Sequence, residues 1–155
     1  VDSKDHITQE AIDNSATGVA PSGSLLIVVR SGILARYLPI SLAGRELAFN
    51  QDIKAIISDN NKLDSKYLQL FLQSNEKEII LNGVKKGPTV HSIKSGYLEN
   101  ILIPLPPLLD QKRIASHLNE KKSQAEKLRI SLEEQLKEIN ALPSSILRKA
   151  FSGGF

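Results

Sequence analysis

The sequence IPLPPLLDQKRI at residues 103–114 divides the chain into two parts. Its three prolines favour an extended backbone and supply no N–H group to a β-ladder, so they predict the end of a strand at residues 101–103. From Asp110 onward the apolar residues recur at helical spacing. We therefore predict a globular domain at residues 1–107 and a long helical segment at residues 108–155.

The helical segment carries an apolar heptad pattern. Apolar residues recur every seven positions from Leu118 to Ile139, and others fall at the offset that completes a coiled-coil seam, which Lys121 and Gln135 interrupt. Pro143 predicts the end of this helix and the start of a short amphipathic helix after it. A lone helix cannot bury so narrow a stripe, so we expect it to pair with another helix or to dock a subunit. The residues predicted for that contact are Leu118, Ala125, Leu128, Leu132, Leu136, Ile139 and Leu142.

Residues 1–107 have the pattern of a small mixed α/β domain. The nearly continuous apolar run at residues 25–29 is typical of a central strand that is covered on both faces. Weaker strand signals follow at residues 33–42, 47–49 and 53–57. Asp64 or Ser65 can cap a helix whose apolar positions share one face and which continues, with a break near Ser74, toward Gly83. The predicted fold class is α+β.

Composition limits the classes of protein and site that fit. The chain has 155 residues, no cysteine and no methionine, so it can form no disulfide and no thiolate metal site. It also has no apolar run long enough to cross a membrane, and a cytoplasmic location fits these features. The chain begins at Val1 rather than at a methionine, and we expect it to be a piece of a longer protein.

Charge gives only a weak indication of a nucleic-acid partner. The formal net charge is +3, but basic and acidic residues are equal in number within residues 1–103. The whole excess therefore lies in residues 104–155, and bulk charge does not by itself predict DNA binding by the globular part.

Catalytic patterns are missing from the sequence. It contains no nucleophile elbow and no phosphate-binding glycine loop, and its three histidines lack the spacing of metal ligands. We therefore predict no catalytic residues, no metal site, no cofactor and no enzymatic activity.

Residues 84–95, VKKGPTVHSIKS, form a basic loop in which Gly87 and Pro88 predict a turn. Its lysines are either ordinary solvated charges or contacts to DNA phosphates, with the loop's polar side chains near base edges. The arginines on either side of Gly32 present the same choice, since arginine is the commonest reader of guanine and is equally common as a solvated residue at a strand end. The candidate DNA-binding residues are Arg30, Arg36, Lys85, Lys86, Thr89, His91, Ser92 and Lys94.

The proline-rich segment and the helix start after it resemble a known family. IPLPPL at residues 103–108, followed by DQKRI at residues 110–114, is similar to the end of a target recognition domain in the specificity subunits of type I restriction–modification systems. LRKAFSG at residues 147–153 is similar to that family's end-of-helix motif. GSLLIVVR at residues 23–30 and YLQLFL at residues 67–72 resemble its central strand and helix more loosely.

The resemblance implies a division of labour between subunits. Recognition domains of that family read one half of a split DNA target, and their long helices pair antiparallel to set the distance between the halves. The helices also dock the methyltransferase subunits, which hold S-adenosylmethionine and perform the chemistry. The expected partners are therefore double-stranded DNA, the methyltransferase subunits and, indirectly, the restriction subunit, with self-association through the long helix as a further expectation.

The chain departs from the family pattern, and two other functions stay open. It carries one recognition domain and one helix where a full subunit carries two of each, and the first part of the domain is expected to be missing. One alternative is a coiled-coil assembly adaptor that binds no nucleic acid. Another is the recognition end of a fused restriction–methyltransferase, which would need an upstream methyltransferase motif that these residues do not contain.

Overall fold

The computed structural model describes residues 6–153. Its strands are β1 (Gly18–Ala20), β2 (Leu25–Val28), β3 (Arg30–Ser31), β4 (Ile40–Leu42), β5 (Leu47–Phe49), β6 (Ile53–Ile56), β7 (Val84–Lys85) and β8 (His91–Ile93). Its α-helices are α1 (Gln9–Asp13), α2 (Ser65–Ser74), α3 (Glu76–Glu78) and α4 (Leu108–Phe151). Short 3₁₀ helices lie at Gly32–Ala35 and Leu98–Asn100, and a π-helical turn lies at Ile79–Gly83. The predicted α+β fold class is confirmed.

The chain forms two compact units, Val1–Ala115 and Ser116–Phe155. Helix α4 starts at Leu108, where the sequence places the end of the globular domain, and its first two turns belong to the first unit. Ala115, at the end of that unit, is buried.

Strand β2 is the centre of the first unit. It pairs antiparallel with β4 on one side and with β6 on the other, as its nearly continuous apolar sequence predicts. Leu25 and Ile27 are completely buried and pack with Leu34, Leu68 and other apolar side chains in one core. Each Å² of apolar surface that these side chains bury contributes about 25 cal/mol to the stability of the unit.

Helix α2 covers the core and begins where the sequence predicts. Asp64 is its N-cap, and its Oδ1 accepts a hydrogen bond of 2.9 Å from the backbone N–H of Tyr67. Leu68 and Leu72 are buried on one face. The predicted break near Ser74 is present, because α2 ends there and α3 and the π-helical turn follow.

Gln111, in the first turns of α4, is a buried polar side chain with a full set of partners. Its Oε1 accepts from the backbone N–H of Asp64 at 2.9 Å. Its Nε2 donates to the backbone carbonyls of Lys62 at 2.9 Å and Pro106 at 2.8 Å. One amide group therefore ties the cap of α2, the preceding loop and the proline-rich segment to the start of α4.

Three expectations differ from the structure. Residues 101–103 are in no β-ladder, and Leu102 is 92% exposed. The stretch from Gly32 is a 3₁₀ helix rather than a strand, since the Ser31 hydroxyl accepts from the N–H of Ile33 and starts a helical turn.

The third difference concerns Pro143. The helix does not end there: α4 continues through Pro143 to Phe151, so the separate short helix expected after it is absent from the described residues. Proline supplies no N–H, which leaves the carbonyl of Ile139 without its intrahelical donor, while the residues on both sides are mostly good helix formers. The helix tolerates this single loss.

The second unit is the rest of α4, and it is supported by ion pairs along its own surface. The Arg129 guanidinium contacts Glu126 and Glu133, three residues before it and four after it. Its hydrogen bond to Glu126 lowers the pKa of that carboxyl, and the two carboxylates raise the pKa of Arg129. Among residues 6–153, no helix has both the length and the apolar character to span a membrane.

Candidate nucleic-acid interface

A second small sheet carries four of the eight candidate DNA-binding residues. Strand β8 lies in its middle, between β3 and β7. In this register Arg30 pairs with Ser92, and Ser92 pairs with Lys85. Directly paired residues in antiparallel strands present their side chains to the same face, so these three form one row across the sheet. We call this set the Arg30–Ser92–Lys85 row.

The β4–β2–β6 sheet and the β3–β8–β7 sheet are joined by a β-bulge between β2 and β3. The backbone N–H groups of Val29 and Arg30 both donate to the carbonyl of Asp52, at 2.8 and 3.2 Å. Two successive residues between β2 and β3 thus bond to one carbonyl in the turn before β6, as in a β-bulge, which bends the chain and changes the direction of its side chains. On the far side, the N–H of Ile93 donates to the Val29 carbonyl at 2.8 Å, and this bond starts the second sheet.

The loop between β7 and β8 is held in a tight conformation by Gly87 and His91. A Cβ atom on Gly87 would lie 2.2 Å from the carbonyl oxygen of Val90, so only glycine fits there without a shift of the loop. The N–H of Gly87 donates to Nδ1 of His91 at 3.1 Å. Because Nδ1 accepts this bond, Nε2 carries the proton of the neutral ring and is left as a donor.

The loop also lies against the 3₁₀ helix after β3. A Cβ atom on Gly32 would come within 3.3 Å of the Thr89 carbonyl oxygen. Arg36 caps the C-terminal end of that 3₁₀ helix, and its side chain is exposed. Backbone packing therefore brings two segments of the chain, residues 30–36 and 85–92, to one surface.

The basic residues predicted to contact DNA differ in their exposure and in their partners. Lys85 and Lys86 are exposed at the start of the hairpin loop. Lys94 instead donates from its ammonium group to the backbone carbonyl of Asn82 at 2.7 Å, so it helps to hold the hairpin against the π-helical turn. Arg30 places its Nε 3.0 Å from Oδ1 of Asp52, a residue that the sequence patterns did not single out.

The predicted helix-contact residues are exposed along α4. The exposed fraction is 61% for Leu128 and 55% for Leu132, and Leu118, Leu136, Ile139 and Leu142 are exposed as well. Ala125 lies on the same helix and is also exposed. Within the described part of the chain, His, Asp and Glu side chains form no group of three or more that could hold a metal ion.

Comparison with known proteins gives the same family that the proline-rich segment and helix resemble. The family described as the type I restriction modification DNA specificity domain matches residues 3–140. The match covers the core sheet, the hairpin with its basic loop and most of α4.

The chain belongs to this family. Among its relatives is the EcoR124I/EcoR124II specificity subunit of a type I restriction enzyme from Escherichia coli, 39% identical over 117 residues. The MjaVIII and MjaIX specificity subunits from Methanocaldococcus jannaschii are 33% identical over 95 residues and 28% identical over 114 residues.

The chain spans less than a third of each of these relatives. The aligned part is 76% of this chain but 29% of the E. coli subunit. For the two archaeal subunits the aligned parts are 61% and 74% of this chain and 21% and 25% of the relative. The family membership predicted from residues 103–114 and the helix that follows is confirmed.

Proposed function

We propose that this chain is a non-catalytic DNA-recognition part of a type I restriction–modification complex, which acts in the cytoplasm. The first unit reads one half of a bipartite target, and α4 positions the methyltransferase subunits, and through them the restriction subunit, on the DNA. The observation that carries this proposal is the Arg30–Ser92–Lys85 row beside the β7–β8 loop, on a chain that belongs to the family of DNA specificity domains.

The chemistry of this surface suits double-stranded DNA. The exposed Lys85 and Lys86 offer positive charge to phosphates, while Ser92 and Thr89 offer hydroxyl groups, which can donate to or accept from base edges. A net charge of zero over residues 1–103 does not oppose this, because a local basic edge is enough for phosphate contact.

The exposed apolar residues of α4 support the second half of the proposal. A stripe with Leu128 and Leu132 more than half exposed is costly in water and favours a helical partner. We propose that the partner is an antiparallel helix of a second recognition unit, and that the methyltransferase subunits dock against the resulting pair.

Removing the two exposed lysines together should weaken binding to every duplex. Log affinity falls linearly with log salt concentration, by about 0.9 for each phosphate neutralised. If Lys85 and Lys86 each neutralise one phosphate, this slope is less steep by about 1.8 in the double variant Lys85→Ala/Lys86→Ala. The measurement is titration of the full chain with a random-sequence duplex at several salt concentrations.

A matched control removes the same charge elsewhere in the first unit. Lys54 lies on β6 and Lys62 in the loop before α2, so neither belongs to the Arg30–Ser92–Lys85 row or to the β7–β8 loop. Lys54→Ala/Lys62→Ala should leave the salt slope close to that of the wild type. Equal slopes for both double variants and the wild type would remove the two loop lysines from the interface.

A further inference from the structure

We propose that Arg30 and Asp52 form a preset guanine reader, in which Asp52 is the positioning residue and Arg30 contacts the base. This inference rests on the proposed DNA-recognition function and adds to it a specific base and a residue that no sequence pattern indicated. It starts from the bulge between β2 and β3, where a single residue contacts both the backbone and the side chain of Arg30.

The bulge fixes the backbone of Arg30. The Asp52 carbonyl accepts from the N–H of Arg30 at 3.2 Å and from that of Val29 at 2.8 Å. On its other side Arg30 pairs with Ser92 of β8. Asp52 is itself held in a turn, since its N–H donates to Oδ1 of Asn50 at 3.0 Å. Bulges commonly serve to redirect a side chain at the edge of a sheet, and here the redirected side chain is a long cation.

The contact with Asp52 lies on the Nε edge of the Arg30 guanidinium, so the edge formed by Nη1 and Nη2 points elsewhere. Asp52 Oδ1 lies 3.0 Å from Nε of Arg30, an ion pair that lacks hydrogen-bond geometry, so the carboxylate holds the guanidinium by charge on its Nε side. The terminal Nη1 and Nη2 are not part of this ion pair and can donate to a ligand. The two terminal nitrogens form a planar fork that matches two acceptors side by side. Guanine presents such a pair, O6 and N7, in the major groove.

The exposure of the pair agrees with a binding role. The Arg30 side chain is 57% exposed and that of Asp52 is 35% exposed. An ion pair this open to water contributes little to folding stability. Its effect is instead to restrict the rotamers of a flexible side chain before DNA arrives, which lowers the entropy lost on binding.

The rest of the row fits the same groove. Neighbouring strands are about 4.8 Å apart, so the backbone positions of Arg30 and Lys85 lie about 10 Å from each other across β8. The major groove is about 12 Å wide and admits a β-ribbon. With Arg30 on a base edge, Ser92 lies at the middle of the row and Lys85 at the side of the groove, where a phosphate contact is available.

The test is selection of bound sequences from a random duplex pool by the full chain and by four variants. Arg30→Ala removes the reader, Arg30→Lys keeps the charge but loses the fork, and Asp52→Asn keeps the shape of the positioning residue without its charge. Glu99→Gln is the matched control, because it neutralises another ion-paired carboxylate of the same unit. Melting temperatures of all five proteins, the wild type included, are measured alongside.

The expected result is a guanine at one position of the wild-type site whose enrichment depends on the pair. Arg30→Ala and Arg30→Lys lose that preference, by roughly 5- to 150-fold, while other positions are unchanged. Asp52→Asn weakens the same preference by about tenfold without a lower melting temperature, and Glu99→Gln has no effect.

Four results would overturn the inference, in distinguishable ways. If the wild type enriches no sequence, the proposed function fails and this inference with it. If the wild type and all variants enrich the same site, the proposed function stands, but residues other than Arg30 read it. If Arg30 variants weaken every position equally, Arg30 contacts a phosphate. If only Asp52→Asn behaves as the wild type, Asp52 has no positioning role.

Discussion

Replacing Gln111 with leucine is expected to lower the free energy of unfolding of the first unit by about 3–5 kcal/mol. Gln111 is 1% exposed, and leucine has a similar volume, so the loss comes from hydrogen bonds rather than from a cavity. The variant leaves the N–H of Asp64 and the carbonyls of Lys62 and Pro106 without their partner. Each polar group left unpaired in these part-buried surroundings costs about 1–3 kcal/mol.

Urea denaturation, monitored by tyrosine fluorescence, measures the unfolding of the first unit. The chain has three tyrosines and no tryptophan, and Tyr37, Tyr67 and Tyr97 all belong to the first unit. The Tyr67 hydroxyl donates to the carbonyl of Pro104 at 3.0 Å, beside the segment that Gln111 holds.

The matched control for Gln111 is Gln124→Leu, on the exposed part of the same helix. Gln124 donates to the exposed carboxylate of Glu120, four residues earlier. Its replacement should change the free energy of unfolding of the first unit by less than about 0.5 kcal/mol. A Gln111→Leu protein that unfolds within 1 kcal/mol of the wild type would show that the buried amide is not what joins α2, the proline-rich segment and α4.

The second large effect is expected from charge in the helical seam. Leu128→Asp combined with Leu132→Asp puts two carboxylates into the contact that α4 is proposed to make, where each buried leucine contributes about 1.5–3 kcal/mol and a buried unpaired charge costs more. We expect helix pairing and methyltransferase docking to be abolished. Sedimentation of the protein and capture of the methyltransferase subunit measure these two contacts separately.

A control places the same charges off the seam. Asn119→Asp with Ser123→Asp also introduces two carboxylates four residues apart on α4, at heptad positions outside the seam. This protein should keep the mass and the methyltransferase capture of the wild type. If the leucine variant also keeps both, the apolar stripe is not a docking surface.

The elements that local sequence determines were predicted correctly. The run at residues 25–29 has apolar side chains for both faces of a sheet, and β2 is indeed the central strand. Asp64 has a short side chain with an acceptor oxygen ahead of an amphipathic stretch, and it caps α2. In such segments one residue type and its near neighbours decide the structure.

Elements at which two local signals conflict were predicted poorly. Residues 101–103 have good strand propensity, but the prolines after them lack N–H groups and the stretch is in no ladder, so they form no strand. At Pro143 the local rule predicts a helix end, yet the helix formers on both sides carry α4 through it.

The candidate site has both local and distant determinants. Residue type alone indicated the basic loop and Arg30. It did not indicate that Arg30, Ser92 and Lys85 form a row, because this row depends on the register between strands some 60 residues apart along the chain. Asp52 was missed because its role needs a bulge that pairs its carbonyl with two N–H groups. A turn carboxylate opposite a strand-end arginine would have been the only local signal.

The most direct test of the central claim is the ratio of two dissociation constants. The full chain is titrated with the duplex that it enriches from a random pool and with a scrambled duplex of the same composition, at about 0.15 M salt. A DNA-recognition unit should bind the enriched duplex at least about 10³-fold more tightly. A ratio near one, with the scrambled duplex bound as well as the enriched one, would contradict the account.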